Sequence, residues 1–374
     1  MISRFLLTIF LTSSIISATN IDSLWQALSL RQRIAQMVLV YHSPVFFMQK
    51  HEFGGVLVMS PSLRKPEQLK KDLDTLQATL KIPLIVSLDQ EGGKVNRLNR
   101  FAAWKNEPSA EEQASMGLDS LENYAHRVSL KMAEIGMNTN LAPVLDPSLN
   151  SHGEATFMAH SRRSYGKKPV EIIKNAQAFS KGMARGGMMC VSKHYPGYDS
   201  QGNSDHEIAM SDADSVDLLR YREPFIALAP YTHSIMMTSV QYHKFSQSPA
   251  VFDPKIVGWV RQDHPEAVIM TDDLWGAALR SWISQKPKVD NHYSAADFKK
   301  LVLIAVRAGI DMLMITYPIK AVEMIDLLAD EAQKDPALLQ RINESSLRIL
   351  QMKKRGGLFE QQKNIIRSIT SERS

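Results

Sequence analysis

The segment KHYPGYDSQGNSDH, residues 193–206, gathers Lys193, His194, Asp199, Asp205 and His206 into one stretch broken by Pro196, Gly197 and Gly202. An imidazole titrates close to neutral pH, and a neighbouring carboxylate orients it and stabilises its charged form, so His206 with an acidic partner has the makings of a proton donor and acceptor. Lysine and histidine also grip hydroxyl groups, and the glycines leave such a loop free to move. A polar loop of this kind is ordinarily a solvated turn, so the chemistry needs partners elsewhere in the chain. Asp89-Gln90-Glu91, Asp146 and Asp272-Asp273 each stand at or beyond the end of a short apolar run. No His-x-His or HExxH spacing accompanies them, so the donor set suits a neutral, hydroxyl-rich ligand better than a metal-activated water.

Something must hold these groups together. Apolar runs rich in Val, Ile, Leu and Met recur at QMVLVY (36–41), GGVLVM (54–59), PLIVSLD (83–89), MNTNLAP (137–143), MMCVSKHY (188–195), SIMMTSV (234–240), AVIMTDD (267–273) and DMLMITY (311–317). Stretches with helical period and caps separate them, at 66–80, 109–136, 169–186, 215–228, 294–308 and 319–332. Continuous apolar strands alternating with helices predict the α/β class and a parallel sheet covered on its outside. Eight such units in a chain of 374 residues fit a (β/α)8 barrel of the TIM type. No phosphate-binding glycine turn follows any strand, no repeat of 20–50 residues recurs, and no linker marks a boundary, so one catalytic domain over 19–374 is expected. A barrel collects its chemistry on the loops at the carboxyl ends of its strands, which is where the carboxylates and the Lys193-His194 pair stand.

The rest of the composition narrows the classes. With 44% hydrophobic and 22% charged residues the chain reads as an ordinary globular protein. A net charge of +5 without a dense basic cluster excludes a nucleic-acid partner, and Lys353-Lys354-Arg355 reads as the solvated last turn of a helix. Cys190 is the single cysteine, so no internal disulfide forms. The N-terminal MISRFLLTIFLTSSIISATN places one cation before an apolar run that ends in small residues, the layout of a signal peptide over residues 1–18. That run is shorter than the roughly 20 residues of a spanning helix, so export to the periplasm or medium of a bacterium is expected, with no stable membrane insertion after cleavage. No feature of the sequence prescribes an oligomeric state.

Sugar is the natural ligand for such a polar rim. Hydrolysis of a glycosidic bond with retention needs a carboxylate nucleophile and a proton donor beside the leaving oxygen. Asp272 or Asp273 can be the first; alternation along a strand sends them to opposite faces, so only one points into the pocket, and periodicity leaves open which.

The motifs together resemble glycoside hydrolase family 3, in its β-N-acetylhexosaminidase branch. KHYPG (193–197) followed by His206 resembles the family's KH(F/Y)PG…D(S/T)H signature, LDQEGGKVNRL (88–98) its DQEGGRVxRL, RSYG (163–166) its RS(F/Y)G, VIMTDDL (268–274) its SDDL segment and AGIDMLM (308–314) its AGxDMLL. The resemblance runs over roughly residues 25 to 360. It implies a retaining exo-β-N-acetylglucosaminidase that acts on N-acetylglucosamine-containing oligosaccharides, from peptidoglycan or chitin-like chains. It implies Asp272 as nucleophile, His206 as general acid and base, and Asp89, Arg97, Arg163, Lys193 and His194 as the grip on the sugar's hydroxyls and acetamido group, with no cofactor.

The chain also departs from that pattern. The acid expected two places before His206 is Ser204, and the aspartate is Asp205, next to the histidine; Asp199 is a second candidate partner, in a Tyr198-Asp199 pair that replaces His-Gly. Lys94 replaces an arginine, and Ser239 stands where an Ala-His pair follows the sixth strand. A sugar-binding protein with weak turnover on the same scaffold, or a β-glucosidase of the same family, are the alternative readings.

Overall fold

A computed structural model describes residues 20–286 and 292–371. The signal-peptide expectation for residues 1–18 lies outside the described residues.

All eight apolar runs form strands of one parallel sheet: β1 (Val38–Tyr41), β2 (Gly55–Leu57), β3 (Ile85–Leu88), β4 (Thr139–Asn140), β5 (Met189–Tyr195), β6 (Ser234–Met237), β7 (Val268–Met270) and β8 (Leu313–Ile315). Spatial order follows chain order from β1 to β7, and β8 pairs with β1 through Val38↔Leu313. The Met270↔Met312 bridge brings β7 against β8 and closes the ring. Strand side chains are buried on both faces, because one face fills the barrel and the other meets helices; this is why these strands read as unbroken apolar runs.

A helix follows each strand: α1 (Val45–His51), α2 (Pro66–Thr79), α3 (Leu118–Glu134), α4 (Pro169–Arg185), α5 (Ser215–Ala227), α6 (Pro254–Asp263), α7 (Ala295–Ala308) and α8 (Pro318–Ala332). Four of them carry Pro in the first turn, where its missing N–H is no loss. The helix expected over 109–136 is two pieces, Ala110–Ala114 and α3, because Gly117 adopts φ 80° and no continuous helix passes through it. α3 and α4 approach closely: a Cβ on Gly182 would lie 2.2 Å from the carbonyl oxygen of Glu122.

Beyond the barrel, α9 (Pro336–Arg355) and α10 (Leu358–Ser371) pack beneath it. Asp311, fully buried just before β8, accepts from Arg341 and Arg348 on α9 at 2.7 Å each and from Arg261 on α6 at 2.6 Å. Three arginines thus share the one buried carboxylate of Asp311 at the amino end of the strands, whereas Lys353, expected in a solvated turn, is fully buried and donates to the Gln36 side-chain oxygen at 2.7 Å. The opposite end is left to the candidate site.

Candidate active site

At the carboxyl ends of the strands lies a cavity of about 350 Å³. Leu57, Met59, Met236 and Met314 give it apolar walls, and a network of charges occupies one side. Asp89 directly follows β3, and its Oδ1 accepts from Lys193 Nζ at 2.7 Å while Oδ2 lies 3.8 Å from Arg97 Nη2. Two residues on, the Glu91 carboxylate accepts from Arg163 twice, Nε at 2.7 Å and Nη2 at 2.9 Å, and its Oε1 lies 2.6 Å from Lys193 Nζ. Arg97 reaches the site because a short hairpin, Gln90–Gly92 with Val95–Asn96, turns the chain back after β3. Gln90 pins that hairpin by accepting the N–H groups of Arg97 and Leu98 on its side-chain oxygen.

Burial alone would push the Glu91 carboxyl up, but the Arg163 and Lys193 cations bonded to it hold it well below the usual carboxylate range. Burial likewise disfavours a charged Lys193, and Asp89 and Glu91 overcome this and raise its pKa. Lys193 and Arg163 are thus permanent donors aimed from the cavity wall. His194, on β5, is fixed differently: its Nδ1 lies 2.6 Å from Asp146 Oδ2, and Asp146 Oδ1 accepts the backbone N–H of His194 at 3.0 Å and of Tyr198 at 2.7 Å. Asp146 is fully buried. With Nδ1 committed, Nε2 is the ring atom left for a ligand.

Asp272 and Asp273 follow β7, and their environments separate them. Asp273 Oδ2 accepts the Thr316 hydroxyl at 2.6 Å, and Oδ1 accepts the N–H groups of Thr316 and Trp275. Asp273 therefore ties the β7 loop to the end of β8; burial raises its pKa despite those bonds. Asp272 accepts one hydrogen bond among the described residues, from the Asp273 N–H to Oδ1 at 2.8 Å, and lines the cavity with its other oxygen uncommitted.

The segment after β5 forms the remaining wall. Tyr198 packs edge-on to His194, donates to the Gly202 carbonyl at 2.6 Å and accepts the Ser204 N–H at 2.7 Å. Asn203 then closes a tight turn: its side-chain oxygen accepts the Asp205 N–H, and its carbonyl accepts those of His206 and Glu207. Asn203, Ser204 and Asp205 line the cavity, whereas His206 is exposed and not part of its lining. No hydrogen bond joins the Asp205 and His206 side chains among the described residues. Asp199 turns away from the cavity altogether. It is buried beside the Ser211 and Tyr221 hydroxyls, lines a separate cleft, and burial pushes its carboxyl up to about 6.

Asp89, Arg97, Arg163, Lys193, His194, Asp272 and Asp205 thus share one cavity, and His206 and Asp199 stand outside it. Glu91 and Asp146 organise the cavity although neither was singled out as a site residue. Their signal was present in the sequence, since both lie just past a strand end. Two larger clefts, of about 560 and 600 Å³, flank the β4–α4 connection, but neither contains Asp272 or the Asp89–Lys193 pair.

Comparison with known proteins bears on the family and the fold. The model of the glycosyl hydrolase family 3 N-terminal domain matches residues 29–352. A beta-hexosaminidase of Methylococcus capsulatus is 27% identical over 271 residues, 70% of this chain and 75% of that one. A beta-hexosaminidase of Idiomarina loihiensis is 26% identical over 309 residues, covering 78% of this chain and 84% of its own length. Among solved structures, the beta-N-acetylhexosaminidase of Beutenbergia cavernae superposes with a TM-score of 0.74 at 26% identity, over 87% of this chain and 99% of that one.

Proposed function

The chain belongs to glycosyl hydrolase family 3, a glycoside hydrolase on a (β/α)8 scaffold, and from that premise we propose that it is a retaining exo-β-N-acetylglucosaminidase. The observation that carries this reading is the uncommitted carboxylate of Asp272 in the same small cavity as the Asp89–Lys193–Arg163 network. A cavity of about 350 Å³ is near the lower end of the roughly 300–1,000 Å³ typical of ligand pockets, which suits one terminal sugar rather than a chain running through.

The chemistry follows from that placement. Asp89 accepts hydrogen bonds from the sugar's hydroxyls, while Lys193, Arg163, Arg97 and His194 donate to its hydroxyls and acetamido oxygen. This grip fixes the anomeric carbon against Asp272, and much of the barrier is removed by orientation before any bond changes. Asp272 attacks the anomeric carbon as the glycosidic C–O bond breaks, and a donor from the 203–206 turn protonates the leaving oxygen. Water then reverses the sequence on the covalent intermediate. With the expected export of the chain, peptidoglycan fragments or chitin-like oligosaccharides outside the cytoplasm are the proposed substrates.

A slow substrate tests this directly. A 5-fluoro-N-acetylglucosaminyl fluoride, which forms the glycosyl-enzyme faster than it is hydrolysed, should add one sugar mass to the peptide bearing Asp272. Turnover of an N-acetyl-β-glucosaminide without any such adduct would remove the covalent mechanism. The outward position of His206 favours a second reading, a sugar-binding protein with little turnover, and this is the one to adopt if N-acetylglucosamine binds but no β-hexosaminide is cleaved.

Asp146 offers a further check on the grip. Asp146→Ala releases the His194 ring and strands two buried N–H groups, so kcat/KM for a chromogenic N-acetyl-β-glucosaminide should fall by about 10²-fold through misplacement. Stability should fall by about 1–3 kcal/mol. Unchanged kcat/KM would mean that His194 does not contact the sugar.

A further inference from the structure

Among the described residues, α5 turns three large apolar side chains to water. Val216, Leu219 and Ile226 are 71%, 54% and 47% exposed, and their spacing of three and then seven places them in one stripe along the helix. Arg220 and Glu223 are exposed on the same face. Beside the stripe, where α5 meets the start of α4, lies the cleft of about 560 Å³, walled by Pro147, Leu149, Val170 and Pro224, with Arg220 and Glu223 on its edge. Val170, on the α4 side, is 64% exposed. An apolar ridge therefore runs alongside an apolar groove, with one cation and one anion where they meet. Apolar groups scattered singly over a surface need no partner, but a contiguous set bordered by charges marks a contact surface.

We propose that this face binds a second copy of the same chain through a two-fold contact. A two-fold axis demands a surface complementary to itself, so that what one copy offers the other must accept. The face of α5 meets that demand in charge and in shape. Two α5 helices that cross antiparallel near Tyr221 set Arg220 of each against Glu223 of the other. The same crossing sets Val216 against Ile226, because each pair is spaced almost evenly about that point. The ridge of one copy then lies along the groove of its mate. Both charges are available for this. Glu223 has no ion pair or hydrogen bond among the described residues, and the contacts of Arg220 are local, to Asp217 at 3.4 Å and over the Tyr221 ring at 5.5 Å.

Other occupants fit less well. Lys167, Lys168 and Arg220 border the face together with Asp212, Asp214 and Glu223, so charges of both signs are interspersed and neither an anionic membrane nor a polyanion is favoured. A surface of the same mixed make-up answers that pattern. None of these residues lines the cavity that holds Asp272, and α5 stands in the outer ring of helices, so pairing leaves both cavities open.

Sedimentation equilibrium of the full chain tests the contact. Between about 1 and 100 µM the parent should show a monomer–dimer equilibrium with dimer predominating at the upper end. Leu219→Asp, which sets a carboxylate into the apolar stripe, should leave the chain monomeric throughout. Arg220→Glu and Glu223→Arg each place like charges face to face on both sides of the axis, so each should raise the dimer Kd by at least about 10-fold. Combining the two restores opposite charges across the contact and should return Kd to within a few-fold of the parent, which damage to the fold would not do. The three positions are exposed and outside the catalytic cavity, so circular dichroism and kcat/KM per chain should match the parent in every variant. A parent that stays monomeric at about 100 µM overturns the proposal. So does a dimer that survives Leu219→Asp, or a double variant no tighter than the single ones, since the association would then use another surface.

Discussion

Asp272→Ala should abolish turnover of N-acetyl-β-glucosaminides, with kcat reduced by at least about 10⁴-fold, while the fold persists. The size follows from the role: without a carboxylate no covalent intermediate forms, and positioning by the Asp89–Lys193–Arg163 network leaves only residual catalysis. Persistence of the fold follows from the hydrogen bonds, because the Asp272 side chain accepts only the neighbouring Asp273 N–H among the described residues. Asp273→Ala makes the informative contrast. It deprives the Thr316 hydroxyl and two backbone N–H groups of their acceptor and cuts the tie between β7 and β8, so it should lower thermal stability as well as activity. Steady-state kinetics with melting curves on both variants decides the matter. Loss of stability in Asp272→Ala with activity retained would move the nucleophile to another group.

The two aspartates show where sequence reading ends. Alternation says that only one of a pair can face a pocket, but not which; what distinguishes them is Thr316, more than 40 residues away and brought beside them by the β7–β8 contact. The strands themselves were legible because a barrel buries both faces of each, so Val38-Leu39-Val40 or Val268-Ile269-Met270 leaves an unbroken apolar trace. Helix ends were legible where a cap or proline marks them, and the break at Gly117 carried its own signal in the glycine. The cavity's charged side was partly legible, since Asp89, Lys193 and His194 stand at strand ends in any barrel. The roles of Glu91 and Asp146 were not, because an ion pair between Glu91 and Arg163 spans 72 positions and depends on how two loops meet. The 203–206 turn was the least legible part. Whether Asp205 or His206 faces inward is decided by the Tyr198 hydroxyl and the Asn203 carbonyl, through bonds that leave no periodicity behind.

Glu91→Gln should be the most damaging change to the folded state around the cavity. Glu91 is 5% exposed and is the shared acceptor of Arg163 and Lys193; an amide of the same shape removes its charge, leaving Lys193 with Asp89 as its ion-pair partner and Arg163 with only the unbonded charges of Asp146 and Asp89. Breaking a buried pair from one side costs about 3–5 kcal/mol, most of it from the stranded partner. The pH dependence gives an independent signature. The folded-state pKa of Glu91 is depressed below its unfolded value, so its contribution is fully present above the unfolded pKa of about 4.3 and is lost as pH falls from there through the folded value. The stability gap between parent and Glu91→Gln should therefore be constant from pH 7 to about 5 and then narrow, by about 1.5 kcal/mol on reaching pH 3. Denaturant titrations of both proteins across that range measure it. A gap that stays constant down to pH 3 would mean that Glu91 is not held ionised by Arg163 and Lys193. In that case the two cations would also be less firmly fixed as donors to the sugar, since the same contacts that depress the acid hold the bases in place.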